Sequence, residues 1–183
     1  MTTFYFVRHG EPDYDSVREW KQIPFGKDFA GLTEAGVMQI RETAMLLKRC
    51  NPQIIISSPF TRTMQGAGII AGECNIPILV EKDLHEWSSD RTHTIGREDD
   101  LLQLCKDFDL CNGIYPQGIE KQWESRQSVR ERVLKVLGKY LEYEVVIVSG
   151  HAIMMQAVTG EQKAFQYGEI VKRTWEELQS TQE

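Results

Sequence analysis

The amino-acid sequence predicts an α/β fold, a three-layer α/β/α sandwich with a mostly parallel central sheet and a small inserted cap region. Runs of β-branched and aromatic residues, typical of strands buried on both faces, occur at 4–7, 54–56, 78–80 and 145–148. Segments with apolar residues at helical spacing separate these runs. Such alternation of strands and helices is typical of parallel sheets that helices cover.

The first strand leads into a long connection and then a helix. Residues 11–31 contain several prolines and glycines and are long for a plain connection, which favours a functional loop. Thr33 is a suitable helix N-cap, with Glu34 in the first turn. The helix is predicted because apolar residues follow at helical spacing, at Val37, Ile40, Ala44 and Leu47.

The middle of the chain combines regular elements with an irregular insertion. The strand at 54–56 is followed by a predicted helix over about 61–71 and a short strand at 78–80. Residues 84–120 are the least regular part and contain one predicted helix near 97–108. We expect this stretch to be the inserted cap of a single domain that spans residues 1–183.

The last third of the chain predicts a long helix and the remaining strands. Its apolar pattern predicts an amphipathic helix over about 124–143, marked by Val129, Val133, Val136, Leu137 and Tyr140. A strand at 145–149 and a helix over about 152–158 follow. Residues 167–174 predict an edge strand, and the last nine residues predict a helical or frayed tail.

Composition excludes several classes of protein. The 183 residues suit one domain, and 41% hydrophobic with 26% charged residues is ordinary for a globular protein. A net charge of −6 without a basic block argues against nucleic-acid binding. The first residues lack the pattern of a signal peptide, and no apolar run is long enough to span a membrane. The four scattered cysteines predict thiols in a reducing compartment, so we expect a cytoplasmic protein.

Polar side chains follow the predicted strands at the points where those strands end. Arg8 and His9 follow the first strand, His151 follows the late strand, and Arg62 lies about one turn after the second strand's end. Glu86 comes shortly after the third strand. Ligands bind at the carboxyl ends of strands in open α/β sheets, so we expect these groups to share a pocket. Arginines match phosphoryl oxygens, which predicts a phosphate site with an imidazole beside it.

Five sequence blocks in order carry a family resemblance. They are Arg8-His9-Gly10-Glu11, Gly31-Leu32-Thr33-Glu34-Ala35-Gly36 with Gln39, Ser57-Ser58-Pro59-Phe60-Thr61-Arg62, Leu84-His85-Glu86 and Ser149-Gly150-His151-Ala152. In this order and spacing the chain resembles the histidine phosphatase superfamily, the phosphoglycerate-mutase-like proteins, over about residues 3–160.

The resemblance implies a role for each polar residue. His9 is the expected nucleophile, which forms a phosphohistidine that water then hydrolyses. The phosphoryl oxygens are expected to be held by Arg8, Arg62 and His151. Glu86 is the expected acid that protonates the leaving oxygen and then activates water. The mechanism requires neither a metal nor a cofactor.

Two further substrate contacts are expected at Gly150 and Asp15. Asp15 stands where many relatives have a phosphate-binding asparagine, so its carboxylate would repel phosphate unless it faces away or pairs with Arg18 or Lys21. The stretch after Glu86 also lacks the Gly-x-x-Glu-Gly pattern common in the family. Specificity is therefore not carried over from the resemblance.

Neighbouring polar residues have structural interpretations. Ser57 and Ser58 lack the surroundings of a serine nucleophile and are predicted to be turn and cap residues. His85 and His93 are predicted to be loop residues. The segment of Glu124 and Ser125 matches a Gly-Glu-Ser element of relatives only imperfectly, and we assign it no role.

Hydrolysis of a small phosphorylated metabolite is the first functional hypothesis. A phosphoglycerate-mutase-type transfer is the alternative, and it needs a second anion site, for which Arg91, His93 and Arg97 are candidates. A pseudoenzyme that binds phosphate for regulation is the third possibility, which Asp15 leaves open. The expected partner is a small phosphoester, not a nucleic acid or a membrane, and the oligomeric state cannot be read from the sequence.

Overall fold

A computed structural model of the chain describes residues 1–20, 26–92, 94 and 98–180. A five-stranded sheet forms its centre in the order β3-β2-β4-β1-β5. All neighbouring strands are parallel except β5, which pairs antiparallel with β1 at one edge. The strands are β1 (Thr3–Arg8), β2 (Ile54–Ser57), β3 (Ile78–Val80), β4 (Val145–Gly150) and β5 (Ile170–Thr174).

Six α-helices surround this sheet in the described part of the chain. They are α1 (Glu34–Lys48), α2 (Thr61–Cys74), α3 (Glu98–Leu110), α4 (Arg126–Leu137), α5 (Ala152–Thr159) and α6 (Trp175–Ser180). Short 3-10 helices occupy Arg18–Trp20, Gly26–Phe29, Lys82–Leu84 and Gly138–Tyr140. None of these helices is long and apolar enough to cross a membrane.

Two hydrophobic clusters lie on opposite faces of the sheet. One packs Phe4 and Phe6 of β1 against helices α4, α5 and α6, and the other packs Val7 against α1 and α2. Successive strand residues point to opposite faces, so the uninterrupted apolar strands serve both clusters. Burial of each large side chain stabilises the fold by about 1.5–3 kcal/mol. The three-layer α/β/α prediction is confirmed.

β4 pairs with both β1 and β2, and this pairing aligns the carboxyl ends of the three strands. Arg8 lies opposite Gly150, and Ser57 lies opposite Ser149. The ladder continues past the strands, because the His9 amide donates to the Gly150 carbonyl at 3.0 Å. The carboxyl ends of the three central strands therefore meet at one edge, as the sequence predicted.

The loop after β1 packs directly on the start of α1. A Cβ atom at Gly10 would lie 2.3 Å from the Gly36 carbonyl oxygen, so only glycine permits this backbone contact. Thr33 caps α1 by accepting a hydrogen bond from the Gly36 amide at 2.9 Å. The Thr33 cap predicted from the sequence is confirmed, and the Thr33 amide, which donates to the Glu11 carbonyl at 3.0 Å, holds the loop after His9 against the helix.

Some element boundaries differ from the sequence predictions. The helix expected over about 124–143 is shorter, because Ser125 forms its N-cap and the chain tightens into a 3-10 turn at Gly138. The edge strand expected over 167–174 begins only at Ile170. Gly168 precedes it with a φ of 73°, a turn conformation that interrupts extended pairing.

Candidate active site

His9 follows β1 and is buried, with 6% of its surface exposed. Its Nδ1 lies 2.7 Å from the Gly10 carbonyl oxygen. Because a carbonyl can only accept, Nδ1 must carry the proton of the neutral ring. This leaves Nε2 with a free lone pair, the state that a nucleophile requires.

His151 lies against His9, with ring centroids 5.4 Å apart and ring planes at 65°. Its Nδ1 is 3.5 Å from Nη2 of Arg62, and its Nε2 is 2.7 Å from the hydroxyl of Ser58. Because a guanidinium only donates, Nδ1 accepts, and Nε2 carries the proton that it donates to Ser58. The ring of His151 is thereby fixed in one tautomer and one orientation.

Burial sets the charge of both imidazoles. Desolvation lowers the pKa of His9 from its ordinary value of 6.5 to about 3, and the positive charges of Arg62 and Arg8 act in the same direction. The Gly10 carbonyl opposes this shift only in part. Burial and the charge of Arg62 also hold the pKa of His151 well below its ordinary value. Both rings are therefore neutral at neutral pH.

Two arginines flank the imidazoles with donors left over. Arg62 is 5% exposed, and its Nη1 donates to the Lys27 carbonyl at 3.1 Å. Arg8 donates through Nη1 to the Phe165 carbonyl, and its guanidinium carbon lies 4.2 Å from the Tyr167 ring centroid. The Nε atoms of both arginines are buried and have no hydrogen-bond partner within the described structure. Buried unpaired donors are costly, so a site with two of them is suited to an anion.

Glu86 is held at the start of α5, the helix that follows His151. Its carboxylate accepts hydrogen bonds from the amides of Trp87, Met154 and Ile153 at 2.9, 3.0 and 3.3 Å. Desolvation nevertheless raises the pKa of Glu86 above its ordinary value, with the three amides and Arg62 acting against the shift. This carboxyl group therefore keeps a proton to higher pH than a solvated one.

An ion pair between Arg132 and Glu124 fixes the segment that carries Glu86. Arg132 Nε and Nη2 donate to the two oxygens of Glu124 at 2.7 and 3.0 Å. The same guanidinium donates to the carbonyl oxygens of Asp83, His85 and Glu86 at 2.6, 3.0 and 3.3 Å. Removal of either partner would leave a buried charge unpaired, and removal of Arg132 would also release the backbone around Glu86.

Asp28 adds a second carboxyl group near Arg62. It lies in the 3-10 helix Gly26–Phe29, next to the residue whose carbonyl accepts from Arg62. Burial raises the pKa of Asp28 to about 6, the charge of Arg62 opposes the shift, and the charge of Glu86 adds to it.

The structure brings most of the expected residues together. His9, His151 and Arg62 form one cluster, with Arg8 beside Tyr167, whose ring centroid is 5.8 Å from that of His9. Gly150 supplies the backbone carbonyl that holds the His9 amide. Glu86 lies at the same edge of the sheet, because two of the amides that hold its carboxylate belong to α5.

Asp15 is exposed, in contrast to the buried residues of this cluster. Its carboxylate accepts a hydrogen bond from Arg18 at 2.9 Å, and the two side chains are 77% and 73% exposed. This pairing with Arg18 is one of the arrangements that the sequence required for compatibility with phosphate. A direct contact between Asp15 and substrate remains a prediction.

Of the three candidates for a second anion site, only Arg91 lies within the described residues. Arg91 is engaged, because its Nη1 donates to Glu120 at 2.6 Å and to the Tyr115 hydroxyl at 3.2 Å. His93 and Arg97, the other two candidates, lie outside the described residues.

Sequence reasoning missed three contributors to the site. Ser58, interpreted as a turn residue, orients His151, and the Arg132–Glu124 pair, given no role, positions Glu86. Asp28 was not singled out at all. The partial match of residues 124–125 to a family element was the one available signal for Glu124.

The arrangement defines a class of protein. Two neutral strand-end imidazoles lie between arginines with spare donors, a site suited to an anion at the edge of an α/β sheet. The chain matches the sequence model of the histidine phosphatase superfamily (branch 1) over residues 4–180. It therefore belongs to the histidine phosphatase superfamily.

The relatives include proteins named as mutases and a protein named as a phosphatase. The probable phosphoglycerate mutase GpmB of Cronobacter sakazakii is 31% identical over 147 residues, which are 78% of this chain and 64% of that protein. The uncharacterized phosphatase PhoE of Bacillus subtilis is 26% identical over 169 residues, 88% of this chain and 80% of that protein. The chain thus spans slightly less than two thirds of the length of the first of these relatives.

Solved structures share the fold. A mycobacterial glucosyl-3-phosphoglycerate phosphatase in complex with inorganic phosphate matches with a TM-score of 0.71 and 15% identity, covering 97% of this chain and 93% of that one. YhfR of Bacillus stearothermophilus matches with a TM-score of 0.69 and 20% identity, covering 94% and 90%. At these identities the likeness establishes the fold alone.

The depressed pKa of His9 predicts a loss of stability in acid. Between its ordinary pKa of 6.5 and about 3, the unfolded chain binds more protons at this residue than the folded chain. The free energy of unfolding therefore falls as the pH drops below 6.5, by about 2 kcal/mol at about pH 5 from this group alone. His9→Asn keeps a donor for the Gly10 carbonyl but cannot titrate, so its unfolding free energy should fall less steeply.

Urea unfolding of both proteins between about pH 7 and about pH 5 measures this difference. The raised pKa values of Asp28 and Glu86 act in the opposite direction but are common to both proteins. Parallel curves for the wild type and the variant would show that His9 is not buried as a neutral ring.

Proposed function

We propose that the protein hydrolyses a phosphomonoester of a small metabolite through a phosphohistidine at His9. The observation that carries this proposal is the hydrogen bond from His9 Nδ1 to the Gly10 carbonyl at 2.7 Å, which frees Nε2 for attack. The unpartnered Nε atoms of Arg8 and Arg62 supply donors for phosphoryl oxygens. A superfamily structure with inorganic phosphate bound supports the phosphate assignment.

In the first step, Nε2 of His9 attacks the phosphorus atom. The new P–N bond forms as the P–O bond to the alcohol breaks, in line with the attack. Arg8 and Arg62 stabilise the phosphoryl oxygens in the transition state, and His151 orients Arg62, whose Nη2 donates to its Nδ1. Glu86 gives its proton to the departing oxygen, so the alcohol leaves as a neutral molecule.

In the second step, water replaces the alcohol. Glu86, now ionised, takes a proton from the water as its oxygen attacks phosphorus. The P–N bond breaks, inorganic phosphate leaves, and His9 returns to the neutral form with Nδ1 still bonded to Gly10. The raised pKa of Glu86 suits both directions of this proton transfer, because it brings the group closer to neutral pH.

Hydrolysis is favoured over the two alternatives. The pairing of Arg91 with Glu120 removes one candidate for the second anion site of a mutase. The exposed ion pair of Asp15 with Arg18 is an arrangement compatible with a bound phosphate, which weakens the case for a pseudoenzyme. Because the 31% identical relative is named a probable phosphoglycerate mutase, mutase activity should also be assayed.

We also propose that residues 1–183 act as one domain with the segment 84–120 as its cap. In support, this segment lies between β3 and α4 in the chain, and the Arg91 amide within it donates to the carbonyl of Gln122 just beyond its end, at 3.0 Å. We propose that the reaction needs no metal, because guanidinium groups supply the positive charge. We also propose that the protein is cytoplasmic and that its partner is a small phosphoester.

Phosphate release from a panel of phosphomonoesters tests this function. The wild type should release phosphate in the presence of a chelator, and His9→Asn should lower kcat by about 10⁴-fold or more because it removes the nucleophile. The unfolding free energy of the variant at neutral pH is the control for its fold. Unchanged turnover in His9→Asn, or complete loss with the chelator, would contradict the proposal, and conversion of 3-phosphoglycerate to its isomer would favour a mutase.

The role of Glu86 predicts a dependence on the leaving group. Glu86→Gln keeps the size of the side chain but cannot give up a proton in this way, so kcat/KM for an alkyl phosphate should fall about 10²–10⁴-fold. The fall should be much smaller for p-nitrophenyl phosphate, because nitrophenolate leaves without a proton. Steady-state kcat/KM for both substrates measures this, since it reports the steps up to alcohol release. Equal losses for both substrates would show that Glu86 is not the proton donor.

A further inference from the structure

Neutral groups hold Arg8 and Arg62, the two arginines of the site. Arg8 donates to the backbone carbonyl of Phe165. Arg62 donates to the backbone carbonyl of Lys27 at 3.1 Å. In the described part of the chain neither of the two forms an ion pair with a carboxylate, whereas Arg132 does. The positive charge of both site arginines is therefore left for an anion.

An aromatic ring lies against each of these guanidinium groups. The guanidinium carbon of Arg8 lies over the Tyr167 ring, 4.2 Å from its centroid. The guanidinium carbon of Arg62 lies over the Phe60 ring, 5.1 Å from its centroid. A ring contacts the flat side of a guanidinium and leaves the N–H groups at its edge free to donate. A carboxylate in the same place would use those donors and cancel the charge, so a ring is the better support for an arginine that binds phosphate.

Hydrogen bonds of the next two residues hold Tyr167 beside Arg8. The Gly168 amide donates to the Arg8 carbonyl at 3.1 Å, and the Arg8 amide donates to the Glu169 carbonyl at 3.1 Å. The Gly168 carbonyl accepts from the Thr43 hydroxyl of α1 at 2.8 Å. A Cβ atom at Gly168 would lie only 2.8 Å from Oγ1 of Thr43, so this approach to α1 requires glycine. The backbone on one side of Tyr167 is thus tied both to β1 and to α1.

Packing of the interior does not explain the place of Tyr167. The residue is 37% exposed and belongs to neither of the two hydrophobic clusters. Its ring instead faces the site, because its centroid lies 5.8 Å from that of the His9 ring as well as under the Arg8 guanidinium. Both contacts use the ring, so phenylalanine should serve here as well as tyrosine.

We propose that Tyr167 is a positioning residue whose ring holds the guanidinium of Arg8 in place for the phosphoryl group. The inference rests on the proposed function and adds a residue to the same site. Without the ring, the Arg8 side chain could adopt other rotamers, and the phosphoryl group would have to order it on binding. Ordering one long side chain weakens binding by about three- to tenfold.

Steady-state kinetics with p-nitrophenyl phosphate test this role. Tyr167→Leu should lower kcat/KM about three- to tenfold, and Tyr167→Phe should stay near the wild type because it keeps the ring. Tyr5→Leu is the matched control, since the Tyr5 ring also lies next to a cation, Nζ of Lys172 at 5.9 Å. Tyr5 and Arg8 are three positions apart in β1 and point to opposite faces of the sheet, so this variant should leave kcat/KM unchanged.

A double-mutant cycle separates positioning from packing. If Tyr167 acts through Arg8, Tyr167→Leu should have little effect on kcat/KM in a protein that already carries Arg8→Gln. Equal losses in both backgrounds would overturn the inference, as would a loss in Tyr167→Phe as large as that in Tyr167→Leu. Urea unfolding of each variant is the control for its fold.

Failure of this inference is distinguishable from failure of the proposed function. Hydrolysis by the wild type that Tyr167→Leu leaves unchanged would overturn the inference while the proposed function stands. Absence of turnover in the wild type would contradict the proposed function, and calorimetric binding of inorganic phosphate then decides about Tyr167. A three- to tenfold higher Kd is expected in Tyr167→Leu and an unchanged Kd in Tyr167→Phe. Equal affinities of the wild type and Tyr167→Leu, or no binding by the wild type, would overturn the inference.

Discussion

Parallel pairing of β1 with β4 is the constraint on which the site depends. The register that places Arg8 opposite Gly150 also lets the His9 amide bond the Gly150 carbonyl, so the two histidines leave adjacent strands at the same level. A slip of one residue would turn Arg8 and every neighbouring side chain to the opposite face of the sheet. Register here is fixed by two apolar cores, one on each face, and packing of the interior therefore sets the geometry of the site.

The electrostatics of the site follow from what is buried with the imidazoles. Desolvation is the main cause that keeps both rings neutral, and the positive charge of Arg62 acts in the same direction. Neutral rings and arginines together form a pocket suited to an anion, and the proposed reaction uses His9 in it as the nucleophile. Glu86 completes the set because desolvation favours its protonated form while three backbone amides hold it in place.

The sequence predicted those features that depend on residues close together in the chain. The apolar strands, the Thr33 cap and the polar residues at the strand ends are each visible within a few positions, and the sheet edge then brings Arg8, His9 and His151 together. The contacts that orient the side chains of the site join residues far apart in the chain. Ser58 and His151 are 93 positions apart, and no local pattern marks such a pair.

Detection of a phosphoryl group on His9 tests the central claim most directly. Rapid mixing of the protein with a hydrolysed phosphomonoester, an alkaline quench that preserves phosphohistidine, and mass spectrometry with ³¹P NMR would locate the group. The account predicts a phosphohistidine at Nε2 of His9 that forms and decays at rates compatible with turnover, because Nδ1 is held by the Gly10 carbonyl. A phosphoryl group on Nδ1, on His151 or on Ser58, or turnover without any phosphoenzyme, would contradict it.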